Sequence, residues 1–206
     1  MNTLLQINSS LFAGEGQSSR LATRFVERWR VAHPGATVLL RDLARDPVPH
    51  LDAGRFAAFL AKDEARDAAQ KAVVAYSDAL IAELKRADVI VLGLPMYNFG
   101  VPSVLKSYFD HVARAGVTFR YTERGSVGLL GGKQAYVFAA RGGQYIGTPR
   151  DTQTAYVRQF LGFLGIEDVE FVYAEGLAIG DASRRNALAQ AELAIEGALE
   201  NATIAA

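Results

Sequence analysis

The sequence predicts an α/β fold: a five-stranded parallel sheet with helices on both faces and an inserted hairpin. Three observations predict it. Short runs recur that are continuously apolar rather than alternating, as strands buried on both faces must be. Segments with apolar residues at helical spacing separate these runs, and that alternation places crossover helices over a parallel sheet. One break in the alternation carries aromatics at every second residue running into a Gly turn, the mark of a hairpin.

Leu4–Ile7 is the first strand. Leu21, Phe25 and Trp29, with Ala22 and Val26, then form one stripe at i, i+4, i+8 of a helix. Thr37–Leu40 is the second strand. Residues 42–70, with Pro47, Pro49 and a polar Ala-rich stretch, interrupt the alternation before a second helix striped by Val73, Tyr76, Leu80, Ile81 and Leu84. Val89–Leu92 is the clearest strand. Val101, Leu105, Phe109 and Val112 mark a third helix, with Pro102 in a first-turn position that tolerates proline. Thr118–Gly125 is the hairpin. Ala135–Ala139 and Val169–Tyr173 complete the strands. Val157, Phe160, Leu161 and Leu164 mark the helix between them, and Leu188, Ala191, Ile195 and Leu199 a last one. No linker, repeat or low-complexity run divides the chain, which reads as one domain over residues 1–206.

Composition narrows the function. Half of the 206 residues are hydrophobic and 21% are charged, a composition that sustains a full core. Lys+Arg and Asp+Glu are 22 each, so the surplus cationic surface that nonspecific nucleic-acid binding needs is missing. With no cysteine there is no disulfide framework, thiolate nucleophile or Cys-ligated metal. His33, His50 and His111 are scattered without paired ligand spacing, so no metal site is expected. The N-terminus from Met1 to Ile7 lacks the basic and apolar regions of a signal peptide, and no run approaches the ~18 apolar residues of a membrane span. A cytoplasmic protein is expected.

In open α/β sheets, ligands bind beyond the carboxyl ends of the strands where strand order reverses. Three such ends are unusual here. After the first strand, Asn8 to Ser19 brings hydroxyls and small residues to a helix N-terminus, whose amides lack intrahelical partners and suit a phosphate. The plainer reading is an N-cap at Ser18 or Ser19 behind a solvated loop. The segment is no Walker loop. Gly14–Ser19 half-matches the dinucleotide fingerprint, and Asp42 stands about where a ribose-binding acid would, so a Rossmann alternative stays open. After the third strand, Pro95-Met96-Tyr97-Asn98-Phe99-Gly100 is an aromatic, turn-forming loop suited to a flat heteroaromatic ring, or to packing over the core. After the fourth, Ala140-Arg141-Gly142-Gly143 combines close backbone approach with a permanent positive charge, where a solvated turn is the usual explanation. Glu192, Glu196 and Glu200 read as a solvated helix face.

Together these loops resemble the FMN-binding loops of a flavodoxin-like fold. With Ala113–Thr122 and Phe160–Gly165, they make the chain similar, almost end to end, to the FMN-dependent NADH-azoreductase (NADH:quinone oxidoreductase) family. That resemblance implies an enzyme taking hydride from NADH or NADPH and reducing quinones and azo compounds by ping-pong exchange, with no dedicated catalytic acid, base or nucleophile. By position, Ser10, Gly16, Gln17 and Ser18 would hold the FMN phosphate. Met96, Tyr97, Asn98 and Phe99 would line the isoalloxazine, and Ala140, Arg141, Gly142 and Gly143 would approach its pyrimidine edge. Gly16 and Ala140 depart from the Ser frequent in relatives, which implies a weaker phosphate grip. The family's homodimer would put Phe119 and Tyr121 over the partner's flavin; their alternative is packing within their own subunit. A single-electron flavodoxin-like carrier and a flavin-free NAD(P) enzyme are the competing readings, disfavoured by the balanced charge with the extra hairpin and by the incomplete glycine motif.

Overall fold

The computed structural model describes residues 3–204, so Met1 and Asn2 of the N-terminal reading lie outside the described residues. The chain runs β1 (Thr3–Asn8), α1 (Gln17–Ala32), β2 (Thr37–Asp42), α2 (Ala53–Leu60), α3 (Ala68–Arg86), β3 (Val89–Pro95) and α4 (Ser103–Val112). It continues through β4 (Phe119–Thr122), β5 (Gly125–Gly128), β6 (Gln134–Ala140), α5 (Thr152–Phe163), β7 (Asp168–Ala174) and α6 (Asp181–Ile204). Five strands form one parallel sheet in the order β2-β1-β3-β6-β7, while β4 and β5 pair antiparallel as a separate ribbon. The order reverses between β1 and β3. That is the flavodoxin-like arrangement rather than the Rossmann order.

Both sheet faces are buried, which explains the unbroken apolar runs. Along β3, Ile90 and Leu92 pack with α3, α4 and α5, while Val89 and Val91 face α1 and α6. Phe25 and Trp29 of α1 are fully buried on the second face. All five predicted strands and all five predicted helices are present, as is the hairpin. The sequence reading missed α2 inside residues 42–70. Asp52 caps that helix by accepting the Arg55 N–H at 2.8 Å, and Arg66 Nε donates to the Ala58 carbonyl at 3.0 Å. Pro102 occupies the N-cap of α4 rather than its first turn. Glu192 and Glu196 are not simply solvated: they reach across to α1, pairing with Arg24 and Arg28.

Candidate cofactor site at the strand-order switch

The switch point is built first by glycine. Gly93 of β3 stands beside Asn8, and a Cβ there would press within 3.2 Å of the Ser18 carbonyl. Its lack of a side chain lets the first turn of α1 settle on the sheet. Ser9 fastens the β1 exit from the other side, its N–H and Oγ both donating to the Gly93 carbonyl, at 3.2 and 2.7 Å.

The helix does not begin where the plainer reading put it. Gly16 is the N-cap, in extended backbone, so no side chain satisfies the first amides of α1. Ser18 and Ser19 lie inside the first turn, fully buried, and neither hydroxyl has a partner. An unsatisfied buried hydroxyl costs about 1–3 kcal/mol. Both hydroxyls stand in the first turn, at the positive end of a helix, where an anionic oxygen group is favoured and the first amides are free to donate to it. Gln17 is half-buried beside them. Gly16 itself donates its N–H to the Ala13 carbonyl at a long 3.4 Å. Ser10 is buried, and its Oγ accepts the Phe12 N–H at 3.2 Å.

After β3 the chain makes a tight turn. Tyr97 and Gly100 exchange backbone hydrogen bonds of 3.2 and 3.0 Å around Asn98 and Phe99, both at positive φ (49° and 63°). A bulky Phe in that region is a strained choice, costing about 1–3 kcal/mol, and such strain persists where the surroundings fix it. Here Thr152 Oγ1 donates to the Phe99 carbonyl, and Gln153 Nε2 bridges the Pro95 and Gly100 carbonyls at 2.8 and 3.2 Å. Met96 donates its N–H to the Ala140 carbonyl at 3.2 Å, tying this loop to the next strand end. Tyr97 ties it to the helix loop: its hydroxyl accepts the Leu11 N–H at 3.2 Å and lies 3.4 Å from Ser10 Oγ. Phe99, held in this strained turn, presents an exposed ring.

The loop after β6 corrects one sequence expectation. Arg141 continues the β6–β7 ladder, donating its N–H to the Ala174 carbonyl at 2.9 Å. Its side chain therefore turns into the protein, with 0% side-chain exposure, between Asp151 at 3.0 Å and Glu175 at 2.9 Å. Thr154 Oγ1 accepts from it at 3.0 Å, and the Tyr173 ring lies 5.1 Å below. Two carboxylates flank that guanidinium, so it is a strut inside the loop and not a charge presented at its surface. Glu175 also accepts the N–H groups of Tyr145 and Ile146, at 3.0 and 3.1 Å, and so shapes the whole segment. The Arg141, Gly142 and Gly143 carbonyls are held by Leu177, Ala178 and Gly176, while neither glycine spends its N–H in these bonds. Ala140 is buried at the strand end. Tyr145, unremarked in the sequence, stands between the loops: edge-on to Phe99 at 5.7 Å, with its hydroxyl over Gly143.

Burial works to raise the Asp151 carboxyl, but hydrogen bonds from Arg141 and Thr154 outweigh it and hold the group below the ordinary carboxylate range. Its folded value lies under the unfolded ~3.9, so this contribution is whole above about pH 4 and is lost as pH falls through the folded value. The Asp151→Asn variant is expected to be less stable at pH 7 and to lose less on acidification. Urea melts between pH 7 and 3 check this.

The hairpin divides its two aromatics. Phe119 is 6% exposed and packs on Phe163 at 4.3 Å, so burial gives it to its own chain. Tyr121 is 75% exposed, leaning edge-on against Phe119 at 5.4 Å. Asp42 is occupied as well: it accepts the Ala44 and Arg45 N–H groups, at 3.0 and 3.3 Å, closing the turn after β2. No group of His, Asp or Glu among the described residues is arranged to hold a metal, and no described helix is long and apolar enough to cross a membrane. A groove of about 520 Å³ adjoins the strained turn, lined by Phe99, Gly100, His50, Ser107, Gln153 and Tyr156 among others.

A parallel sheet in the order β2-β1-β3-β6-β7, whose switch point joins an anion-seeking helix terminus to two backbone-presenting loops, defines a mononucleotide-binding flavodoxin-like protein. Residues 2–199 match the family model described as the flavodoxin-like fold. An FMN-dependent NADH:quinone oxidoreductase of Cellvibrio japonicus is 56% identical over 94% of this chain and 97% of its own. One from Burkholderia lata is 54% identical over 96% of this chain and 100% of its own. Among solved structures, the FMN-dependent NADH-azoreductase of Bacillus anthracis in complex with FMN superposes with a TM-score of 0.89, at 30% identity, covering 98% of this chain and 100% of that one. The chain belongs to this family of flavodoxin-like, FMN-dependent NADH:quinone oxidoreductases.

Proposed function

We propose that the whole chain, residues 1–206, works as one flavodoxin-like domain that binds FMN at the switch point and uses NADH to reduce quinones and azo compounds in the cytoplasm. The observation that carries the reading is the pair of buried, unpartnered hydroxyls of Ser18 and Ser19 at the uncapped N-terminus of α1. The residues fit the cofactor. Ser18, Gln17, the first amides of α1 and, from below, Ser10 would hold its phosphate. Met96, Tyr97, Asn98 and Phe99 would line the ring, and the N–H groups of Gly142 and Gly143 would meet its pyrimidine edge.

Bound FMN supplies the two-electron carrier between nicotinamide and oxidant. The protein's own part is electrostatic and steric. The uncommitted amides of Gly142 and Gly143, fixed by the Arg141–Glu175 strut, would donate hydrogen bonds where negative charge develops on the reduced ring. Phe99, held by its strained turn, would wall one side of the opening. Each turnover of NADH and quinone takes up one proton beyond the hydride, which solvent supplies at the opening, and we assign no protein acid or base. NADH and oxidant would use the same opening in turn, so initial-rate plots at several quinone concentrations are expected to be parallel; intersecting lines would contradict ping-pong exchange. NADPH would be accepted to the extent that its extra phosphate stays in solvent.

In a homodimer, exposed Tyr121 would reach the partner's ring, with buried Phe119 as its support. Sedimentation at assay concentration tests that assembly, and a fully active monomer would contradict it. The phosphate assignment has its own test. Replacing Ser10 and Ser18 with Ala is expected to weaken FMN at least tenfold while changing riboflavin, which lacks the phosphate, by less than threefold. Flavin-fluorescence titration reads both, and equal losses would contradict the assignment.

A further inference from the structure

We infer that Gln153 of α5 is the positioning residue of the loop after β3: its amide nitrogen, donating to two carbonyls at once, fixes the turn that would line the flavin ring. The inference rests on the FMN reading above for its functional consequence, and on the hydrogen bonds alone for its structural one.

The buried residues of α5 are Gln153, Val157 and Leu161, spaced four apart along one face. Val157 and Leu161 belong to the core, so the head of an apolar stripe carries an amide that is itself only 1% exposed. Packing alone would put an aliphatic side chain there. The amide oxygen is buried without a partner, so the acceptor half of the group adds only a desolvation cost. The donor half is fully spent. Carbonyl oxygens only accept, so the nitrogen faces Pro95 and Gly100 and gives one proton to each, at 2.8 and 3.2 Å. Those carbonyls stand at the two ends of the loop: Pro95 closes β3, and Gly100 accepts the Tyr97 N–H beyond Asn98 and Phe99. One side chain therefore clamps the start of the loop to its finish, across the two residues held at positive φ. Thr152, the preceding residue, holds the Phe99 carbonyl between them. Gln153 acts through this loop and not on the flavin, so its effect is on where the ring is held.

Gln153→Glu keeps the size of the side chain and makes its donor depend on pH. A carboxyl buried against two carbonyl oxygens titrates above its ordinary range. Ionised, it sets negative charge against both oxygens; protonated, it donates to one. His50, Lys106, Asp110 and Tyr156 share its groove and Asp151 caps its helix, but all are present in the native chain, as is the FMN phosphate. The ratio of variant to native Kd at each pH cancels them. In fluorescence titrations with FMN that ratio is expected to be at least tenfold at pH 8.5 and under threefold at pH 5.5. Gln153→Met, of similar size and with no donor, is expected to bind at least fivefold more weakly at both. A Glu ratio that does not move with pH, or native affinity in the Met variant, would overturn the inference; where the Glu variant is unfolded at pH 8.5, the Met ratio decides. Thermal melts without flavin read the clamp directly. A group whose folded pKa is raised stabilises below that value, so the Tm deficit of Gln153→Glu is expected to shrink as pH falls while that of Gln153→Met stays constant; a Glu deficit that stays constant would overturn the clamp. If the native protein bound no FMN, the proposed function would fail, while the melts would still decide the clamp.

Discussion

Replacing Arg141 with Leu is expected to remove about 3–5 kcal/mol of stability and to abolish FMN retention through desalting. The magnitude follows from what is left behind. Asp151 and Glu175 both have side chains only 9% exposed, and both face the guanidinium. Taking away the one cation strands two buried carboxylates, which is far worse than losing an exposed ion pair worth at most about 1 kcal/mol. The loss is a large fraction of the ~5–15 kcal/mol available to a folded domain. Flavin retention fails for a local reason, since Glu175 would lose its anchor while holding the Tyr145 and Ile146 amides. Lys at this position keeps the charge without the fork that meets two carboxylates at once, so Arg141→Lys is expected to fall between. Urea unfolding of the three proteins, with flavin content by absorbance, checks the order. A Leu variant as stable as the native protein would show that the triad is not what fixes the loop.

The second large effect is expected at the open end of the hairpin, where Gly128 of β5 pairs with Phe119 of β4. A Cβ on Gly128 would lie 2.0 Å from the Gly165 nitrogen and 2.2 Å from the Leu164 carbonyl carbon. Both are backbone atoms, and Leu130 N–H donates to the Leu164 carbonyl at 2.8 Å, so the two segments cannot part cheaply. Gly128→Ala is expected to cost at or above the upper end of the ~1–3 kcal/mol typical of overpacking. It would also displace the ribbon carrying Tyr121. In the proposed dimer, KM for quinone should then rise several-fold while FMN affinity falls less, because Tyr121 is the ribbon's one proposed flavin contact and the phosphate and ring loops lie off the ribbon. Steady-state kinetics beside a flavin titration separate the two. A fall in FMN affinity equal to the rise in KM would contradict this division of roles.

The fold was legible because burial on both faces leaves an unmistakable trace. Val89–Leu92 and Ala135–Ala139 read as strands buried on both faces, and the stripe through Phe25 and Trp29 reads as a helix, which packs against them. Helix α2 was hidden because it has only 8 residues, includes Gly54, and buries Ala58 alone. Cap and side-chain bonds hold it rather than a core stripe. Hydroxyls, aromatics and glycines at three strand ends marked the loops that the structure brings together, but side-chain direction was not visible. Arg141 in isolation looks like a charge offered to a ligand. Its partner Glu175 follows Ala174, which pairs with Ala140 in the β6–β7 register, so opposite charges one step past that pair were readable once the strands were aligned. Tyr145 gave no such signal. Its place between Phe99 and Gly143 depends on a loop whose course Glu175 sets through space. Phe119 and Tyr121 stand two residues apart on a short strand, where alternation alone would give them the same surroundings. Only packing on Phe163 reveals that Phe119 is the buried one.

The most direct test of the central claim is a visible absorption spectrum of the purified protein, loaded with FMN and desalted, then recorded after anaerobic NADH and again after quinone. A retained flavin band that NADH bleaches and quinone restores is the expected result, showing both half-reactions on one protein. A retained band that NADH leaves unchanged would contradict the oxidoreductase and point to a carrier, and no retained flavin would contradict the cofactor site itself.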